Sequence, residues 1–111
     1  MKKIAKKLIH QQGDLLLYLA RALPDDAQRI QTDRSSLILA EGEATGHAHR
    51  IEATPDVELY EKAGVMYLRV LTESKLRHEE HAEHLIAPGV YEVGRVREVD
   101  PFTEEIRTVK D

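Results

Sequence analysis

The fold class is decided by the stretch Val57-Glu58-Leu59-Tyr60-Glu61-Lys62-Ala63-Gly64-Val65-Met66-Tyr67-Leu68-Arg69-Val70-Leu71. Two runs rich in β-branched, aromatic and leucine residues flank a short polar connection, which is the pattern of a β-hairpin. Gly64 supplies the positive φ that such a turn often requires. The stretch therefore predicts two antiparallel strands and favours a β fold for the chain around it.

Further strand patterns lie on both sides of this hairpin. The apolar run at residues 15–19 predicts a strand buried on both faces, and residues 90–99 alternate as a long strand with Gly94 as a bulge or bend. The other strand candidates are residues 36–40, 47–52 and 105–109. About eight short strands at intervals of roughly ten residues predict a compact all-β barrel or sandwich.

Two segments fit this pattern less well. Residues 74–87 contain good helix formers and no proline or glycine, so both a helix and a strand with a turn remain open. The regular β surroundings favour strand and turn. Residues 1–12 are basic and carry apolar residues at helical spacing, although so short a helix is stable only when docked. We expect an arm over residues 1–12 and a single β domain over residues 13–111.

Composition excludes several classes of protein. With 41% hydrophobic and 32% charged residues the chain is globular, and no apolar run approaches the ~20 residues of a membrane-spanning helix. The absence of cysteine and of an export signal makes the cytoplasm the expected location. A net charge of −4 disfavours nucleic acid as a partner. A small molecule, a partner protein or a second copy of the chain remains as the expected partner.

Histidine is concentrated in two motifs, Gly46-His47-Ala48-His49 and His78-Glu79-Glu80-His81, the second followed by His84. In a strand, His47 and His49 project from the same face as Ile51, with Cβ atoms about 6–7 Å apart. That spacing suits two ring nitrogens on one metal at about 2.1 Å. The metal ligands predicted from the two motifs are His47, His49, His78 and His81.

The nitrogen and carboxylate donors of these motifs suit a divalent ion, with Zn²⁺ or Fe²⁺ favoured. His84 is followed by Leu85 and Ile86 and is expected to face the core, while Glu52 is a further candidate ligand. The spacing His-Glu-Glu-His differs from that of the metalloprotease helix, whose two histidines are four residues apart.

The stretch from Gly46 to Glu52, with later histidines near Pro88-Gly89, resembles the cupin pattern. In that family two strand histidines, a glutamate and a later histidine bind one metal inside a small β-barrel. Only His47 and His49 match closely, because Glu52 lies nearer the pair and the later histidines precede Pro88-Gly89. The two histidine motifs are also similar to those of small bacterial proteins without an assigned activity, which implies a family but no function.

Three hypotheses follow. The first is a small metal-binding β protein, which is a metal-dependent enzyme if one coordination position stays open. The second is a metal-free hydrolase or nuclease, in which His47 and His78 act as acid and base and Arg50 or Arg77 stabilises negative charge. The third is a non-catalytic adaptor or assembly subunit that docks through a β edge or the amino-terminal arm.

Overall fold

A computed structural model describes residues 6–41 and 46–96, and this part of the chain is all-β. No helix among these residues is long and apolar enough to cross a membrane. The described residues form ten strands: β1 (Lys7–Gln12), β2 (Leu15–Ala20), β3 (Gln28–Ile30), β4 (Ser36–Glu41), β5 (Ala48–Glu52), β6 (Val57–Lys62), β7 (Val65–Val70), β8 (Ser74–His78), β9 (His81–Ile86) and β10 (Gly89–Arg95).

The strands form two antiparallel sheets. One has six strands in the order β1-β2-β10-β7-β6-β3, and the other has four in the order β4-β5-β8-β9. Side chains of both sheets enclose a single apolar core, as in a β-sandwich. Its largest fully buried members include Leu15, Leu17 and Leu68 from the first sheet and Ile51, Leu76 and Ile86 from the second.

The hairpin expected from residues 57–71 is confirmed. β6 and β7 pair from Val57↔Val70 to Lys62↔Val65, so only Ala63 and Gly64 connect them. Both have positive φ, 52° and 82°, which is the backbone of a type I′ turn. This turn twists in the same sense as the strands and holds their register.

Two other strand predictions are confirmed with adjustments. In β2 the side chains of residues 15–18 are buried, as expected, but Leu19 is 47% exposed. Residues 74–87 contain β8 and β9 with the turn Glu79-Glu80 between them, so strand and turn is correct and the helical alternative is wrong. Pairing with β5 supplies β8 with hydrogen-bond partners that an isolated sequence pattern does not reveal.

The amino-terminal segment differs from its expected form. Lys7–Gln12 is strand β1 and pairs with β2, so this part belongs to the β domain and is not a helical arm. The apolar spacing that fits a helix is overridden because β2 offers a full row of backbone partners across the tight turn at Gly13, whose φ is 59°. Residues 1–5 lie outside the described part.

Gly94 and β3 are further corrections. Gly94 pairs regularly with Leu16 and marks no bulge. A Cβ at Gly94 would lie 3.2 Å from the ring of Tyr18, so a close ring contact explains the glycine instead. The short strand β3 lies in a polar segment where no strand was predicted. The strand expected at residues 105–109, and the end of the one expected at 90–99, lie outside the described residues.

Candidate functional site

Irregular strand pairing occurs beside the histidines. The register shifts between Leu8 and His10 in β1, and between Ile38 and Ala40 in β4, where the partner strand carries His49. A third shift separates the pairs Leu76↔His84 and His78↔His81 in the β8–β9 hairpin. A β-bulge bends its strand and redirects side chains, and bulges are common next to functional sites.

The four predicted metal ligands come together in one histidine cluster, formed by His47, His49, His78 and His81. The ring centres of His49 and His78 are 4.3 Å apart, and those of His78 and His81 are 4.6 Å apart. His47 lies 5.8 Å from His78, and His49 lies 6.0 Å from His81 with nearly parallel rings. Two motifs separated by about thirty residues in the sequence thus meet in the fold.

Burial differs across the cluster. His49, in β5, is 4% exposed, whereas His81 at the start of β9 is exposed and His78 at the end of β8 is half-buried. His47 precedes β5, and its Nδ1 lies 3.7 Å from a carboxylate oxygen of Glu80. The cluster therefore has one anchored ring at its base and three rings that reach solvent.

Gln12 orients the buried ring of His49. The Gln12 amide nitrogen donates to the backbone carbonyls of Leu76 and Ala82 at 3.0 and 2.9 Å, so its Oε1 is free to accept. His49 Nδ1 lies 2.7 Å from that Oε1 and must be the donor. In the neutral ring the proton is then on Nδ1, which leaves the Nε2 lone pair available to a metal or a proton. A histidine ligand typically has such a partner on its second nitrogen.

Electrostatics favour the neutral form of His49 and His78. Burial, followed by the neighbouring His78 and His81, lowers the pKa of His49 to about 4. The pKa of His78 is also lowered, by burial first and then by His81. His78 Nδ1 accepts the backbone N–H of Glu80 at 3.0 Å. The lone pair of His78 Nδ1 would therefore be available to a metal only after that N–H is released.

Glu79 holds the two histidine motifs together. One carboxylate oxygen accepts the backbone N–H of Ala48 at 2.9 Å, and the other accepts Arg50 at 2.8 Å. The Ala48 N–H, with a contribution from Arg50, lowers the pKa of Glu79 to about 2. The turn between β8 and β9 is thereby fixed to the start of β5 by an ionised side chain.

Gly13 makes room for His81. A Cβ at this position would lie 2.5 Å from His81 Nε2, so only a glycine admits the ring where it stands. The local sequence around Gly13 predicted no contact with the histidines. Gly13 and Gln12 contact the cluster because β1 packs against the second sheet. Such a contact cannot be predicted from the local sequence pattern.

The arginine candidates lie on the other side of the sheet. Arg50 pairs with Arg77 across β5 and β8, while their neighbours Ile51 and Leu76 pair on the buried side. Arg50 and Arg77 therefore project from the face opposite His49, and each contacts a glutamate. Glu52 alternates with Ile51 and shares this outer face, so it does not join the cluster.

His84 and His10 form a separate pair. Their Nδ1 atoms are 3.0 Å apart, and the rings meet edge to face with centres 5.2 Å apart. His84 thus faces inward, as expected, but contacts a histidine that the sequence analysis left unused. The sequence feature that could have indicated a role for His10 is its spacing from Gln12, because residues two apart in a strand share a face.

The side chains of the cluster are not arranged as ligands around one metal ion. Within residues 6–41 and 46–96, no group of three or more histidine, aspartate or glutamate side chains is placed to hold a metal ion. Ring centres of two imidazoles bound to one metal at about 2.1 Å lie roughly 4.5–5.5 Å apart. The two shorter separations in the cluster, 4.3 and 4.6 Å, are close to this range, whereas the other two, 5.8 and 6.0 Å, exceed it. A shared metal would therefore require the exposed rings to rotate.

Fold and site together define a small all-β protein with a histidine cluster gathered from two separate hairpins. The chain belongs to the family DUF8820, a domain of unknown function, whose model matches residues 11–96. This confirms the expectation of a family without an assigned activity. The matched range contains Gln12 and the whole cluster, while His10 precedes it. No curated protein and no solved structure matches the chain.

Proposed function

We propose that the protein binds one divalent transition-metal ion, with Zn²⁺ or Fe²⁺ favoured, through the histidine cluster. The observation that carries this proposal is the convergence of four imidazoles from two hairpins, at ring-centre distances of 4.3–6.0 Å. Imidazole is the commonest protein ligand of such ions, and a neutral ring is the form that binds.

The roles of the ligands differ. His49 is the fixed ligand, because Gln12 leaves its Nε2 unprotonated and burial keeps the ring neutral. His81 and His47 are the mobile ligands, since they lie at the solvent side of the cluster. His78 completes the set through Nδ1. The cupin resemblance supports this arrangement through His47 and His49, which in that pattern bind the same metal.

Catalysis depends on the number of ligands that bind. If one of the four histidines stays free, a water molecule occupies the fourth position, and the metal would lower the pKa of that water and polarise a substrate oxygen. The exposed side of the cluster would admit a small molecule. Four bound histidines would instead make a closed, structural site.

The test is a Zn²⁺ titration of chelator-treated protein, combined with elemental analysis of the protein as purified. We expect one equivalent of Zn²⁺, and a loss of affinity of at least about tenfold in His47→Ala, His78→Ala and His81→Ala. Glu83→Ala is the matched control, because this exposed side chain lies in β9 outside the cluster. Unchanged stoichiometric binding in His78→Ala/His81→Ala would refute the proposal.

The two other hypotheses predict different results. A metal-free hydrolase would keep its activity in chelator and lose it on substitution of His47 or His78. The placement of Arg50 and Arg77 on the opposite face gives this reading less support, because neither guanidinium reaches across to stabilise charge at the cluster. An adaptor would bind its partner protein equally well with and without the cluster histidines.

A further inference from the structure

His10 and His84, which we name the seam pair, lie where the two sheets meet. His10 belongs to β1, an edge strand of the six-stranded sheet, and His84 belongs to β9, an edge strand of the other. Their Nδ1 atoms are 3.0 Å apart and part-buried. The seam pair contains no member of the histidine cluster.

The backbone positions both rings. A register shift between Leu8 and His10 redirects β1 just before the first ring, and another shift lies between His81 and His84 where β9 pairs with β8. Two residues after His10, the buried Gln12 bonds to the carbonyls of Leu76 and Ala82. β1 is therefore fixed against the second sheet beside the seam pair, and the approach of the two nitrogens does not depend on flexible side chains alone.

The separation of the nitrogens fits two ligands of one metal. Two nitrogens at about 2.1 Å from an ion lie about 3.0 Å apart when they subtend a right angle, and about 3.4 Å apart in a tetrahedron. The observed distance is 3.0 Å. Right-angled nitrogen ligands are typical of square-planar or tetragonal Cu²⁺ and Ni²⁺.

We propose that the seam pair is a second metal site, which binds Cu²⁺ or Ni²⁺ through His10 Nδ1 and His84 Nδ1. Water molecules supply the remaining positions. Without metal, the same distance accommodates an N–H···N hydrogen bond in which one ring carries its proton on Nδ1. On metal binding that ring changes to the Nε2–H tautomer, so both lone pairs face the ion and neutral rings release no net proton.

Such an ion would join the two sheets. Because it bridges β1 and β9 only in the folded protein, binding stabilises the native state by mass action and raises Tm. Zn²⁺ in the histidine cluster would contact β5, β8 and the start of β9 through other side chains, so the two sites share β9 but no ligand. The two sites can therefore be tested by separate substitutions, and the second site does not depend on the proposed function.

The experiment uses the full chain with the cluster disabled by His78→Ala/His81→Ala, treated with chelator and titrated with Cu²⁺. We expect one equivalent bound, an electron paramagnetic resonance spectrum with coupling to two imidazole nitrogens, and a higher Tm. Adding His84→Gln should weaken Cu²⁺ binding at least about tenfold and remove the coupling. Adding Glu83→Gln, an exposed side chain next to His84 in β9 that belongs to neither site, should leave both unchanged.

His10→Gln repeats the test from the other strand, so that a folding defect of one variant does not decide the outcome. Equal Cu²⁺ affinity with and without the seam pair would overturn the proposal, as would absence of binding in the cluster-disabled chain. Zn²⁺ binding by the wild type would then still support the proposed function. Loss of Zn²⁺ binding with retained Cu²⁺ binding in the cluster-disabled chain would support both.

Discussion

At the scale of single residues, Gln12 is the most informative position. It is 2% exposed and uses its amide nitrogen and oxygen on three partners: the carbonyls of Leu76 and Ala82 and the ring of His49. A buried polar side chain is tolerated only when its hydrogen bonds are made. Gln12 makes them, and in doing so it selects the tautomer of His49.

Replacement of Gln12 by leucine should remove the group that selects the tautomer of His49. The side chain keeps a similar volume, but the His49 Nδ1–H loses its acceptor in a buried place. We expect the free energy of unfolding to fall by about 1–3 kcal/mol, the range for buried polar groups left unpaired. Urea denaturation of the metal-free protein measures this change.

Gln11→Leu is the control for that substitution. Gln11 is half-buried, and its side-chain amide donates to the carbonyl of Gly13 at 3.2 Å. Its replacement should change the free energy of unfolding by much less. Equal effects of the two substitutions would show that the Gln12 hydrogen bonds contribute nothing specific.

At the scale of elements, the β8–β9 hairpin is the unit that carries the site. Its turn brings His78 and His81 into register with each other, and Glu79 ties the turn to the backbone of Ala48 and to Arg50. Because the pKa of Glu79 is held at about 2, this attachment persists throughout the neutral range. The hairpin is thus fixed at the angle that faces its rings towards β5.

Glu79→Ala should release the hairpin without touching a ring. We expect Zn²⁺ affinity to fall about tenfold, as is typical when a group that orients metal ligands is removed. The amide of Ala48 should also exchange its hydrogen faster, because its acceptor is lost. Zn²⁺ titration and hydrogen exchange measure the two effects.

Glu80→Ala is the matched comparison in the same turn. Glu80 is 65% exposed, and its carboxylate lies 3.7 Å from His47. A surface pair of this kind contributes little. If Glu80→Ala lowered affinity as much as Glu79→Ala, the clamp assigned to Glu79 would be incorrect.

At the scale of the whole molecule, the buried histidines make stability depend on pH. The pKa of His49 is about 4 in the folded metal-free protein, against about 6.5 for an unperturbed ring. The unfolded chain therefore binds more protons between these values, and the free energy of unfolding falls as pH decreases through them. His10 and His78 have lowered pKa values and act in the same direction.

We expect the metal-free protein to lose up to about 3 kcal/mol from His49 alone between pH 6.5 and pH 4. The contribution of Glu79 follows at lower pH, because its stabilisation is present above about 4.5 and is lost as pH falls through about 2. Urea denaturation between pH 7 and pH 4 measures the loss expected from His49. His49→Gln should flatten the profile, and a wild-type profile already flat over this range would contradict the assignment.

Local patterns in the chain were sufficient for much of the architecture. Alternation and turn residues predicted the β6–β7 hairpin, β2, β4 and β5, because strand period and turn chemistry are local properties. The helical reading of β1 was wrong, since six residues with ambiguous spacing take the form that a neighbouring strand imposes. β3 was not predicted, because three residues are too few to show the alternation of a strand.

The sequence by itself determined the all-β class and the two histidine motifs, because both depend on residues close together in the chain. Only the tertiary structure decided that the motifs meet, that His10 and His84 form a separate pair, and that Arg50 and Arg77 face away. These relations depend on sheet order and on the bulges that redirect single side chains. Such long-range pairing is set by how two sheets close over a shared core, which no local spacing encodes.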